Sequence, residues 1–276
     1  MHPLITAAGL RRMLDSKSPL VVLDCSFDLV DTEAGERSYR EGHLPQAVYV
    51  SLERDLSGPK TGRNGRHPLR ERADYAQWMG HIGIAPGIPV VAYDRQGGMY
   101  AARAWWVLRW MGHTDVALLD GGLAAWQQAG GTLTPDVPTP APVTPYPSQP
   151  PSLPTVDAQQ LQARLNEVLV IDARAPERYR GDVEPLDAVA GHIPGAVNRF
   201  FKDNLLPDGR FKPAEQLRAE FSPLLDSRPV VQQCGSGATA CHNLLAMEVA
   251  GLGTTALYPG SWSEWSSDPS RPMARG

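Results

Sequence analysis

The chain is poor in the residues that mark several common protein classes. It has three cysteines in 276 residues, Cys25, Cys234 and Cys241, and no Cys-x-x-Cys pair. So sparse and odd a set excludes a disulfide framework and a cysteine-built zinc site. It reads as free thiols in a reducing compartment. No run approaches the ~20 apolar residues that span a bilayer. The opening stretch MHPLITAAGLRRMLDS lacks the long apolar segment of a signal peptide, so a cytoplasmic location is expected. Charge of one sign is scarce as well. A formal net charge of −4 is too small to call for nucleic acid or a membrane surface as partner. Apolar residues are plentiful: 42% hydrophobic against 20% charged suffices for a core and excludes global disorder.

Proline is concentrated rather than scarce. Residues 135–154, PDVPTPAPVTPYPSQPPSLP, hold nine of the 26 prolines. Such a run cannot be helix or inner strand and behaves as a semi-rigid extended linker. It divides the chain into residues 1–134 and 155–276, each a normal domain size. The halves resemble each other. VVLDCS (21–26) answers VLVIDAR (168–174), and YREGHLPQAVYV (39–50) answers VAGHIPGAVNRF (189–200). VVAYDRQGGMYAAR (90–103) answers VVQQCGSGATACHN (230–243), and LLDGGLAAW (118–126) answers LYPGSWSEW (257–265). Four matches in one order indicate a duplicated domain; the spacing is far too long for a solenoid.

Short apolar runs such as VVLD, VVAYD and VALLD alternate with helical patterns such as ADYAQWMGHIG and AARAWWVLRWMGH. This predicts α/β architecture: two tandem domains, each a parallel sheet flanked by helices on both faces. Ligands in such sheets sit beyond the carboxyl ends of the strands. Cys234 falls at one of those ends.

The loop CGSGAT after that strand suits a reactive sulfur. A free thiol is only a few per cent ionised at pH 7, and the thiolate is the nucleophile. Gly235 and Gly237 permit the positive φ values of a loop whose N–H groups face an anion. The N-terminus of the following helix favours negative charge there too. Ser236 and Thr239 add hydroxyl donors. On this reading amides and helix dipole suffice without any cation. A buried structural cysteine would not need these neighbours. A cysteine phosphatase would place an arginine six positions on, to hold phosphoryl oxygens; Ala240 stands there. His242 reads as a solvated helix residue rather than the partner in a Cys–His protease pair. His43 and His192 occupy equal places in GHLP and GHIP and read as turn residues. Asp24 and Asp172, ending matching strands, read as loop anchors. Trp262 and Trp265 read as packing near the end of the second domain.

With GHLPQA and GHIPGA, LLDGGLAAW and YPGSWSEW, and the single cysteine loop CGSGAT, the chain resembles the two-domain rhodanese sulfurtransferases over nearly its whole length. Within them it resembles most the members that use 3-mercaptopyruvate, whose loop is commonly CGSGVT; Ala238 replaces the valine. The resemblance implies two rhodanese-like domains and no metal or cofactor. It implies a Cys234 persulfide that passes sulfur to cyanide, a thiol or a thioredoxin-like dithiol. The loop residues Gly235, Gly237, Ala238 and Thr239 would bind substrate. Asp94 stands opposite Cys234 in the first half, so that copy should be inactive. The resemblance further implies a proton relay of Ser236, His67 and Glu53, and substrate carboxylate binding by Arg178. A second arginine is expected where Leu186 stands, so another cation, such as Arg180 or Arg199, would have to take over. Two alternatives stand beside this reading: thiosulfate as donor with the same nucleophile, and a non-enzymatic sulfur carrier or interaction module.

Overall fold

The computed structural model describes residues 1–276. Residues 1–58, 70–152 and 207–211 form one compact unit; residues 59–69, 153–206 and 212–276 form the other. The units therefore do not follow chain order strictly. The short segment 59–69 belongs with the second unit, although it lies in the first half of the chain. The proline-rich stretch forms no helix or strand. It is nevertheless tied to the first unit, where Val143 N–H donates to Gly80 O and Tyr146 N–H to Ala76 O, both at 2.9 Å.

The first unit runs β1 (Leu4–Ile5), α1 (Ala7–Asp15), β2 (Val21–Asp24), α2 (Ala34–Glu41), β3 (Ala47–Tyr49), α3 (Arg72–His81), β4 (Val90–Tyr93), α4 (Ala101–Trp110), β5 (Val116–Leu119) and α5 (Gly122–Gln128). Its five strands lie in the order β1-β5-β4-β2-β3, and every pairing is parallel. Val90, Val91, Ala92 and Tyr93 are all buried. That is why these strands read as continuous apolar runs rather than alternating ones. Val22, Val91 and Leu119 pack with Leu10, Leu123 and Trp126 in a core between sheet and helices.

The second unit repeats the plan with α6 (Ala158–Ala163), β6 (Leu169–Asp172), α7 (Pro176–Arg180), β7 (Val197–Asn198), α8 (Ala214–Phe221), β8 (Val230–Gln233), α9 (Ala240–Val249), β9 (Ala256–Leu257) and α10 (Ser261–Trp265). The order β7-β6-β8-β9 matches β3-β2-β4-β5, again wholly parallel. A single Thr155–Leu257 bridge stands where β1 pairs β5 in the first unit. Asp157 and Gln160 form a reciprocal cap at the start of α6. Val170, Val231, Tyr258, Trp262 and Trp265 fill the core, so the two tryptophans pack as expected.

The paired turns are structural. His43 bonds Tyr39 O through Nδ1 at 2.7 Å and stacks on the Tyr39 ring; His192 bonds Tyr179 O at 2.8 Å and stacks on Tyr179. Each residue also bridges a strand-like segment late in its repeat, Thr134 or Ala274. Asp24 and Asp172 anchor the chain after β2 and β6, accepting the N–H of Ser26 and of Arg174, each at 2.9 Å. No helix is long and apolar enough to cross a membrane.

Candidate active site

Parallel strands expose their unpaired ends at the carboxyl edge of a sheet, and the residue after β8 is Cys234. The backbone there is held on several sides. Cys234 N–H donates to Ser261 Oγ at 3.1 Å, Trp262 N–H to Cys234 O at 3.0 Å, and Ser263 N–H to Gly235 O at 2.9 Å. Residues 235–239 then bend and turn before α9 starts. Gly237 N–H points back at Cys234 Sγ, 3.1 Å away. The N–H groups of Ser236, Ala238 and Thr239 donate to no carbonyl of the chain.

The first unit shows what this loop shape does with a negative charge. Asp94, one residue past β4, accepts four backbone N–H groups. Gln96 and Gly98 reach one carboxylate oxygen at 2.9 and 2.8 Å, and Tyr100 and Ala101 reach the other at 2.8 and 2.9 Å. Burial pushes the Asp94 carboxyl up, and these four donors pull against it. The same fold of chain carries a sulfur in one copy and a tethered carboxylate in the other.

The two glycines of the loop serve different purposes. Gly237 has φ +79°, and a Cβ there would meet Pro259 O at 2.3 Å. It is the glycine that the backbone requires. Gly235 has no positive φ, contrary to expectation. Its missing side chain leaves room for cations: a Cβ would lie 2.8 Å from Arg66 Nη2 and 3.5 Å from both terminal nitrogens of Arg178. Cations thus stand beside a loop for which the sequence suggests amides and helix dipole alone. Arg174 adds a third guanidinium. Burial works against its charge, but Asp172, Glu184 and Cys234 together hold its pKa above the ordinary arginine value. Its group lies over the Trp262 ring, 4.9 Å from the centroid.

These arginines are positioned by carboxylates. Arg174 Nη2 lies 2.6 Å from Asp172 Oδ2, and Arg178 Nη2 lies 2.6 Å from Glu184 Oε1. Asp187 pairs with Arg66 and approaches Arg178 Nη2 at 3.5 Å. Burial pushes the Asp187 carboxyl up, opposed by Arg66. Arg178 thus stands beside the loop as expected, with one edge held by Glu184. Neither substitute for the second arginine does: Arg180 pairs with Asp182, and Arg199 lies between Glu220 and Asn204. Leu186, at the position where the arginine was expected, is exposed.

Ser236 and His67 meet. Ser236 Oγ and His67 Nδ1 share a hydrogen bond of 2.7 Å, and both residues are buried. Thr239 precedes α9 without a side-chain cap bond, and Ala238 is buried beside it. Glu53 lies in the first unit, in the turns that follow β3. His242 is not solvated. It is fully buried, takes part in a bond with Asn204 Nδ2 at 3.2 Å and packs on Phe201. No group of three or more His, Cys, Asp or Glu is arranged to hold a metal ion.

Three residues of the site escape a sequence reading: Arg66, Arg174 and Ser261. Arg66 directly precedes His67, but nothing local says that its guanidinium reaches Gly235. Ser261 has φ +53°, rare for a side chain with a Cβ. The repeat contained the signal, because Gly122 holds that place in the first copy with φ +55°.

The rhodanese-like domain family matches residues 6–129 and 157–268. Over 280 residues the chain is 50% identical to a probable 3-mercaptopyruvate sulfurtransferase of Pseudomonas aeruginosa, covering 99% of this chain and 98% of that protein. It is 36% identical over 256 residues to the thiosulfate sulfurtransferase of Mus musculus, covering 89% and 84%. Among solved structures, 3-mercaptopyruvate sulfurtransferase from Leishmania major superposes with a TM-score of 0.85 at 28% identity, over 95% of this chain and 74% of that one.

Proposed function

This chain belongs to the rhodanese family and is a sulfurtransferase with two copies of the family domain; from that premise we propose that it takes sulfur from 3-mercaptopyruvate through a persulfide on Cys234. The Cys234 thiolate attacks the donor sulfur, and an S–S bond forms as the donor C–S bond breaks. The leaving group is the enolate of pyruvate. The proton that the donor thiol brings ends on the enolate carbon, giving pyruvate and Cys–S–S⁻. Cyanide or a thiolate then takes the outer sulfur, releasing thiocyanate or a new persulfide and restoring the thiolate. Each half reaction is a displacement at sulfur, the pattern of covalent ping-pong catalysis.

The observation that carries this reading is the Ser236–His67 bond beside Cys234. An enolate leaving group needs a proton, and a hydroxyl coupled to an imidazole can deliver one. The sulfite released from thiosulfate needs none. Support also comes from Gly237 N–H at the sulfur and from the guanidinium of Arg178, suited to a 2-oxo acid carboxylate. The copy bearing Asp94 carries no persulfide of its own, because a carboxylate cannot form one.

The test is a comparison of kcat/KM on 3-mercaptopyruvate and on thiosulfate with cyanide as acceptor. The expected result is a clear preference for 3-mercaptopyruvate, together with gain of one sulfur atom on Cys234 after donor treatment without acceptor. Preference for thiosulfate would reverse the donor assignment. Full turnover by Cys234→Ser would remove the persulfide.

A further inference from the structure

We infer that a pocket beside the starts of α6 and α10 binds a small organic ammonium ion, outside the chemistry at Cys234. The pocket measures about 340 Å³ and lies within the second unit. Asp157, Tyr258 and Glu264 bring acid and hydroxyl groups to it, and Pro68, Val156 and Pro259 bring apolar walls. No lysine, arginine or histidine lines it.

Its polar groups are left unsatisfied by the chain. The Tyr258 hydroxyl is buried, yet no group of the protein meets it in hydrogen-bond geometry, and such a group is costly to leave unmet. Burial pushes the Glu264 carboxyl up and the Asp157 charge adds to this, while Tyr258 and Arg271 pull against them. Arg271 is engaged elsewhere: its Nη1 donates to the main-chain carbonyl of Glu264 at 2.7 Å, and its Nε lies 3.7 Å from Asp268. Gly260 keeps room for the carboxylate. Its φ is −67°, so no turn demands glycine, but a Cβ there would overlap Glu264 Oε2.

The duplicated copy shows that the fold does not call for these groups. Asp157, Tyr258 and Glu264 match Thr6, Leu119 and Ala125. Thr6 caps α1 as Asp157 caps α6, and Leu119 and Ala125 are buried. Gly121 answers Gly260, and a Cβ there would meet Ala125 Cβ at 2.7 Å. The same backbone thus closes over apolar side chains and no acid. An ammonium ion meets what the second copy adds. Its N–H groups can reach both carboxylates and the tyrosine oxygen, and its carbon stem can lie on the prolines. A metal ion is less suited, because no three His, Cys, Asp or Glu side chains gather there. Pro259 also carries the carbonyl that closes on Gly237, and Pro68 follows His67, so the guest would rest against both segments that frame the cysteine loop.

The probe is n-butylammonium chloride, with 1-butanol as its neutral counterpart, and saturation-transfer NMR on the full chain reads binding. The parent should bind the ammonium with a Kd of about 1 mM and 1-butanol at least about tenfold more weakly. Glu264→Gln should weaken ammonium binding about fivefold or more, the loss of a charge-assisted contact. Asp157→Asn, which keeps the cap at an exposed position, should weaken it about twofold. If Glu264→Gln does not fold, Tyr258→Leu combined with Glu264→Ala writes the first copy's pair into the second; it should melt like the parent and bind no ammonium. No transfer to the ammonium in the parent overturns the inference, as does equal binding by parent and Glu264→Gln. Equal affinity for 1-butanol also overturns it, because the pocket is then merely apolar, and so does displacement by potassium chloride at the same concentration, because any cation then serves.

Discussion

Ser236 Oγ and His67 Nδ1 lie 2.7 Å apart although 169 positions separate the two residues in the chain. The bond is made inside one compact unit, because the segment 59–69 that bears His67 folds with the second half. Its chemical consequence is selective. Ser236→Ala and His67→Gln should each lower kcat on 3-mercaptopyruvate by about 10²-fold, the lower range for a lost general acid. Turnover of thiosulfate, whose leaving group takes no proton, should fall far less. Steady-state kinetics on both donors check this, and equal losses on the two would deny a role in proton transfer.

The three thiols should differ in reactivity. All are buried, but Cys234 receives the backbone N–H of Gly237 at its sulfur. Burial, with Asp24, Asp94 and Asp55 nearby, pushes the Cys25 thiol well up, and Cys241 is engaged with Gly237 O. Brief iodoacetamide treatment of the native protein, followed by peptide mapping, should find the label on Cys234 first. Equal labelling of all three would refute a special environment.

Gly235→Ala and Gly237→Ala should fail in different ways. At Gly237 a Cβ forces a left-handed conformation and meets Pro259 O, so stability should drop by more than ~1 kcal/mol, read as a lower denaturant midpoint. At Gly235 the Cβ meets a movable side chain, so stability should hold and donor KM should rise.

Asp94→Ala strips four N–H groups, three of them in buried bonds, of their acceptor. Each orphaned donor costs about 1–3 kcal/mol where no water replaces the oxygen. The variant should melt well below the parent, while Asp94→Asn, which keeps one acceptor oxygen, should fall between. A calorimetric scan of the three proteins decides; an unshifted Asp94→Ala would mean that the loop holds itself.

Acid should act partly through Glu220. Burial would raise its carboxyl, but hydrogen bonds from Lys212, Arg199 and Gln216 hold it down to about 2, from an ordinary 4.5. A lowered folded pKa gives stability that is complete above about 4.5 and lost as pH falls toward about 2. Glu220→Gln should therefore destabilise at pH 6 and less at pH 3, measured by urea denaturation at both values. The group is part-exposed, so the difference will be modest.

Much of this was legible in the chain. Apolar runs without alternation gave parallel strands buried on both sides, and the four matched motifs gave two copies of one plan. Cys234 declared itself by position, and His43 and His192 by occurring in both copies. What stayed hidden depends on contacts between distant segments. Arg66 reaches Gly235 across 169 positions of chain, and no periodicity encodes such a meeting. His242 reads as polar, yet Asn204 and Asn243 give it a buried polar setting, and burial of that kind is set by partners elsewhere. Gly235 reads as a backbone glycine because sequence shows the absence of a Cβ and not what fills the space.

The carboxylate of Asp94 has one more implication. Any small anion that inhibits by lodging in the cysteine loop finds the matching hollow of the other copy already filled by a tenant it cannot evict. A single molecule should therefore bind such an inhibitor once, despite its internal duplication, and the sealed copy supplies a built-in reference for how the cysteine copy responds.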